Sequence, residues 1–149
     1  YEAIIGLEIH IQLNTLTKIF CSCKADSWND PPNSNICPIC CGLPGVLPVL
    51  NRATVEKGAL LAAAMRSDIQ PVSYFDRKNY FYPDLPKGYQ ISQYDQPLAL
   101  GGNLDIPMPE GYVRRVSILN IHLEEDAGKT KNDHGRRLVW QHDQVLFNR

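Results

Sequence analysis

From Ile5 to Leu13 apolar and polar residues alternate, with Leu7, Ile9, Ile11 and Leu13 on one side and Glu8, His10 and Gln12 on the other. A period of two predicts a half-buried strand. After Asn14 and Thr15 the pattern dissolves into a Cys-, Pro-, Asn- and Asp-rich stretch that runs to about Pro48 and offers little to bury. Such a stretch needs a staple. Asn51 then caps a predicted helix to about Met65, because Val55, Ala59 and Ala62 recur at helical spacing and Ser67, Asp68 and Pro71 punctuate its end. Between Tyr74 and Pro97 aromatics and prolines crowd together, which predicts a structured loop. Gly101-Gly102 marks a turn between two short strands, and alternation returns from Val113 to Leu123, with Leu119, Ile121 and Leu123 opposite Asn120, His122 and Glu124. Strands dominate around one clear helix, so the expected class is α+β: an antiparallel or mixed sheet, one or two helices and a stapled loop segment.

Composition adjusts this picture little. The chain has 149 residues, 44% hydrophobic and 21% charged, with 15 basic and 16 acidic side chains. That is one ordinary domain or part of a larger one. No run reaches the ~18 apolar residues of a membrane helix, and Tyr1 begins nothing like a signal peptide. Near-neutrality means that any nucleic-acid binding must come from a local basic patch. The apolar runs at both ends, closing on Val145-Leu146-Phe147-Asn148-Arg149, read as cut ends of a longer protein.

The five cysteines do change the picture, since four of them form Cys21-Ser22-Cys23 and Cys37-Pro38-Ile39-Cys40. Zinc needs thiolates that converge tetrahedrally, and two short-spaced pairs joined by a loop can supply them. The second pair resembles a zinc knuckle with Gly42 close by; Cys21-Ser22-Cys23 is a less usual partner, and its backbone is expected to bend. Filled by four cysteines, the site is structural, and Cys41 is left over as a small hydrophobe. A redox dithiol at Cys37 and Cys40 is the alternative, weakened by the absence of a surrounding βαβ pattern.

Glu8 and His10 share one polar face, and His122 and Glu124 share another, followed by Glu125 and Asp126. If those strands neighbour each other, oxygen ligands and an imidazole meet in a set that suits Mg²⁺ or Mn²⁺. An outward polar sheet face explains the same pattern without function. Gly128-Lys129-Thr130 imitates the end of a P-loop, but Leu123 stands where that motif needs glycine. No Ser/His/Asp arrangement stands out. Arg77, Lys78 and Lys87 lie among Tyr80, Phe81, Tyr82 and Tyr89, a mixture that can hold phosphates and stack a base, or simply form a rigid surface loop.

Three blocks occur in one order: Ile5-Gly6-Leu7-Glu8-Ile9-His10, then Phe75 to Gln93 with Arg77-Lys78-Asn79-Tyr80-Phe81-Tyr82-Pro83 inside it, then His122 to Lys129. Together they resemble the B subunit of aspartyl/glutamyl-tRNA amidotransferases along essentially the whole chain. The resemblance implies residues 1–149 as the N-terminal part of that catalytic domain, with a zinc-binding insertion at about 21–41, Phe147-Asn148-Arg149 stopping in mid-domain and later parts missing. It implies ATP-dependent phosphorylation of the side-chain carboxylate of Glu-tRNA(Gln) or Asp-tRNA(Asn), then amidation by ammonia from an A subunit, with a small C subunit bracing the pair. This takes place in the cytoplasm or an organelle, with no membrane partner. It further implies a catalytic Mg²⁺ (or Mn²⁺) site at Glu8, His10, Glu124 and Glu125, with His122 behind it, and an ATP pocket or channel at Lys78, Asn79, Tyr82 and Lys87. Structural zinc falls to Cys21, Cys23, Cys37 and Cys40. A zinc-stapled RNA-binding module without chemistry is the alternative.

Overall fold

The computed structural model describes residues 1–27, 29–31, 33–83, 85, 87–131 and 144–146. Helix α1 (Arg52–Ala64) begins where sequence places it, because the Asn51 side chain accepts from the Ala53 N–H at 2.9 Å and satisfies one of the free amides of the first turn. The same side chain donates to the Thr17 carbonyl at 3.1 Å and the Thr17 hydroxyl at 2.9 Å, so one asparagine joins the helix to the cysteine-bearing segment.

Strands β1 (Asp68–Ile69), β4 (Ala99–Leu100) and β7 (Asn120–Ile121) form a three-stranded antiparallel sheet in the order β1-β4-β7, with Asp68 opposite Leu100 and Ala99 opposite Ile121. Three antiparallel pairs stand beside it: β2 (Asp76–Asn79) with β3 (Tyr89–Ser92), β5 (Asn103–Pro107) with β6 (Val113–Ser117), and β8 (Lys129–Lys131) with β9 (Gln144–Leu146). Among the described residues, one helix and antiparallel strands make this an α+β fold, as expected.

The core is small: Phe20, Cys21, Ala62, Leu85, Leu98, Ala99 and Leu123 are buried, and Phe20 meets Phe75 edge to face at 5.1 Å. Gly58 faces it. A Cβ there would lie 2.8 Å from Leu98 Cδ2 and 2.9 Å from Leu123 Cδ2, so this mid-helix glycine lets helix and sheet approach. Gly58→Ala, which on an open helix would stabilise by about 1 kcal/mol, is instead expected to lower stability by about 1–2 kcal/mol through overpacking. A thermal melt of the complete protein that shows an unchanged or higher Tm would contradict that packing.

Three expectations change. Residues 5–13 form no ladder with any described strand, and Leu7, Ile9 and Ile11 are 83%, 76% and 56% exposed. Alternation states which side can be buried, whereas burial itself needs a neighbour. The stretch read as a loop from Tyr74 to Pro97 contains the β2–β3 hairpin, with Pro83 falling between the strands where no ladder amide is needed. The alternating run Val113–Leu123 breaks at Ile118-Leu119: β6 pairs with β5 while β7 joins the other sheet, leaving Leu119 exposed and Leu123 buried. Phe147-Asn148-Arg149 lies outside the described residues. No helix among those described is long and apolar enough to cross a membrane.

Candidate functional site

Cys21 and Cys23 sit in a tight turn closed by the Thr17–Lys24 bridge, with the Lys18 N–H donating to the Cys23 carbonyl at 2.9 Å. In that turn both thiols lie close to Cys40 Sγ. Cys37 to Leu43 winds into consecutive turns, Cys41 N–H to Cys37 O at 3.1 Å and Gly42 N–H to Ile39 O at 3.0 Å, and the Cys37 N–H donates to Cys40 Sγ at 3.3 Å. The Val49 and Asn51 amides donate to the carbonyls of Phe20 and Ile19, tying the exit of the knuckle to the first turn.

Cys40 Sγ lies 3.5 Å from Cys21 Sγ, 3.4 Å from Cys37 Sγ and 3.7 Å from Cys23 Sγ. Sulfurs ~2.3 Å from a tetrahedral zinc stand about 3.8 Å apart, so this is a cation-sized arrangement. Among the described residues these four alone gather ligand atoms within 4.8 Å of one another, and Cys41 is outside the group. Burial pushes the Cys37 thiol up, but hydrogen bonds from the Cys40 backbone and thiol more than offset it and leave Cys37 at about 7. Cys23 is raised to about 11, by burial first and its neighbours' thiols next. Cys37 therefore becomes the thiolate that a metal binds more readily than Cys21 or Cys23, whose thiols are raised.

The second cluster centres on Glu124. Its Oε1 lies 3.2 Å from His10 Nδ1, and its Oε2 lies 3.6 Å from His122 Nε2 and 3.2 Å from the donating Ser92 hydroxyl. Glu8 Oε1 stands 3.8 Å from His10 Nε2, on the far side of that ring. Glu8, His10, His122 and Glu124 thus meet, although not through paired strands. Glu125 turns the other way: its Oε1 accepts the Ile91 N–H at 2.7 Å and meets Lys87 Nζ at 2.5 Å.

Strand β3 and the residue after it hold both carboxylates. Gln90 Nε2 donates to the Glu125 carbonyl at 2.7 Å, Ser92 holds Glu124, and buried Gln93 accepts the Leu98 and Leu123 amides while donating to Ser73. Sequence reasoning missed these three supports. In the structure all three are buried, and buried polar groups demand partners, but nothing in their local sequence sets them apart.

The hairpin divides the basic residues. Lys78 opposes Gln90 in the ladder and so shares the face of Ser92, whereas Arg77 stacks over Tyr89 at 4.5 Å on the opposite face. Asn79 opposes Tyr89 and is exposed, as are Phe81 and Tyr82. Lys87 is nearly buried, with its ammonium 4.9 Å from the Tyr89 ring.

Charge in this cluster is linked to pH. The Glu124 carboxylate raises His122 above its ordinary 6.5, and His122 in turn holds Glu124 below its ordinary 4.5. The His122 contribution to folding is complete below pH 6.5 and is lost as pH rises through its raised value; the Glu124 contribution is complete above 4.5 and is lost as pH falls through its lowered value. In the complete protein without divalent ions, the ¹³C-histidine signal of His122 should titrate with a midpoint above 6.5 that falls in Glu124→Gln. A midpoint at or below 6.5 in the unaltered protein would contradict the pairing.

Residues 3–149 match the GatB/GatE catalytic domain family. The chain is 52% identical over 149 residues to the B subunit of the aspartyl/glutamyl-tRNA(Asn/Gln) amidotransferase of Carboxydothermus hydrogenoformans, covering 100% of this chain and 30% of that protein. It is 56% identical over 139 residues to the counterpart of the same name from Thermus thermophilus, covering 93% and 29%. With the B subunit of the chloroplastic/mitochondrial glutamyl-tRNA(Gln) amidotransferase of Physcomitrium patens it shares 55% identity over 132 residues, covering 87% and 23%. The chain therefore spans under a third of the length of these curated relatives.

Proposed function

The chain belongs to the GatB/GatE catalytic domain family, and from that premise we propose that it is the N-terminal part of the catalytic domain of a tRNA-dependent amidotransferase B subunit. In this reading the complete protein phosphorylates the side-chain carboxylate of Glu-tRNA(Gln) or Asp-tRNA(Asn) with ATP, and ammonia from an A subunit displaces the phosphate to leave the amide. A small C subunit completes the heterotrimer, which works in the cytoplasm or within an organelle.

The observation that carries this reading is Glu124 held between two imidazoles, with Glu8 beyond one of them and Lys78 on the neighbouring face. Two carboxylates and an imidazole suit Mg²⁺, which binds through one or two carboxylates and retains several waters. Glu8, His10 and Glu124 would hold it, with Glu125 as the adjoining carboxylate held by Lys87. Bound there, the cation would offset the repulsion between an attacking carboxylate and the γ-phosphate. Ser92 fixes the rotamer of Glu124, and Lys78, Asn79, Tyr82 and Lys87 would line the ATP pocket or channel. His122 orients Glu124 without needing to touch the cation. The cysteine cluster stands apart from this chemistry: zinc on Cys21, Cys23, Cys37 and Cys40 would be structural, since all four positions are taken by protein.

The test uses the complete protein with its partners. ATP hydrolysis should rise on adding misacylated Glu-tRNA(Gln) or Asp-tRNA(Asn), and should stay basal with the correctly amidated tRNA. Tight tRNA binding without any stimulated hydrolysis would replace this proposal with a zinc-stapled RNA-binding module.

A further inference from the structure

Lys87 reaches from the cysteine knuckle to Glu125, the residue after Glu124. Its stem lies directly on Gly42, two residues past Cys40: a Cβ built at Gly42 would sit 2.8 Å from Lys87 Cβ and 3.0 Å from Lys87 Cδ. Gly42 also has φ +63°, a left-handed conformation that glycine adopts without strain. The last turn of the knuckle thus presents bare backbone to the lysine stem. At the other end of the side chain the ammonium meets Glu125 Oε1 at 2.5 Å, and that oxygen is fixed by the Ile91 N–H. The side chain of Lys87 is only 8% exposed and that of Glu125 only 16%. A lysine so enclosed has lost most of its rotamers, so whatever confines its stem also sets where its charge can go.

We propose that Lys87 is a positioning residue that couples the two clusters: the cysteine knuckle seats its stem through Gly42, and the seated ammonium holds Glu125 in place beside Glu124. The staple then does more than close a core-poor loop. It forms one wall of the slot that aims the ammonium at Glu125. Coupling of this kind is reciprocal, so the lysine stem must also hold the knuckle closed over its metal. The proposal rests on the zinc reading of the four cysteines and on the acidic-site reading above.

Two substitutions separate the stem from the charge. Lys87→Ala removes both, and Lys87→Met keeps the stem while deleting the ammonium. In the complete protein assembled with its partners, zinc transfer to a chromophoric chelator is expected to be about tenfold faster in Lys87→Ala, within the range of ordinary coupling energies, and unchanged in Lys87→Met. Amidation is expected to fall in both, because neither presents a charge to Glu125. Equal zinc release from Lys87→Ala and the unaltered protein would overturn the proposal, as would equally fast release from Lys87→Met or full amidation by Lys87→Met. An unaltered protein purified without zinc would instead overturn the metal reading on which the proposal stands.

Discussion

Serine at Cys37 is expected to empty the cysteine site and unravel the segment around it. The complete protein should carry zinc, and Cys37→Ser should lose nearly all of it by metal analysis. Cys37 has its thiol lowered to about 7 and donates its backbone N–H to Cys40 Sγ, so the substitution removes a ligand and disturbs a second. Structural zinc sites supply about 10–16 kcal/mol in the peptides where they have been studied, more than the whole stability of an ordinary domain. Between Thr17 and Asn51 only Phe20, Cys21 and Ser27 are buried among the described residues, so little else can compensate. The loss should spread to α1, whose capping Asn51 is tied to Thr17, and a lower Tm with earlier hydrogen exchange at residues 17–54 would report it. Chelation of the unaltered protein should produce the same change. Cys41→Ser is the contrasting case: outside the four-sulfur group, it should keep its zinc and shift stability by only about 0.5 kcal/mol. Zinc retained by Cys37→Ser, or lost from Cys41→Ser, would reassign the fourth ligand.

The parts of this molecule legible in the sequence are those fixed locally. Asn51 caps a helix with its own side chain, and a Cys-x₂-Cys turn closes through amides within the turn, so residue type and spacing suffice. Strand placement depends on distant partners. The stretch 5–13 has the right alternation and no described ladder partner, while the wholly polar Asp76–Asn79 has no alternation and pairs fully with Tyr89–Ser92. The acidic cluster shows the same division. Sequence could nominate Glu8, His10 and Glu124 by type, but their meeting depends on a ladder register that places Ser92 under Glu124. Glu124 and Glu125, adjacent in sequence, point to different partners, His10 and Lys87, because neighbours on an extended backbone face opposite ways. An acidic triplet read as one anionic patch is therefore better described, for these two members, as separately held carboxylates.

That division sets the largest functional effect. Under the proposed function, Glu124→Gln should reduce ATP-dependent amidation by the assembled enzyme by about 10²–10³-fold or more, the scale of a lost charge-stabilising group at a reacting phosphate, while glutaminase activity, which that proposal gives to the A subunit, stays close to normal. Glutamine nearly matches glutamate in shape, and its amide oxygen can still accept from Ser92 or His10, so the variant should fold. It lacks the negative charge that would hold a cation between His10 and His122. Glu8→Gln should act in the same direction, since Glu8 lies beyond the same imidazole. The diagnostic is a split: stimulated ATP hydrolysis and amidation fall together and recover in part at raised Mg²⁺ or Mn²⁺, while glutamine hydrolysis does not change. Loss of all three activities would indicate a broken assembly, and a circular-dichroism melt would expose it. Wild-type amidation by Glu124→Gln would remove this carboxylate from the chemistry and leave the Glu8, His10 and His122 cluster as an exposed polar face.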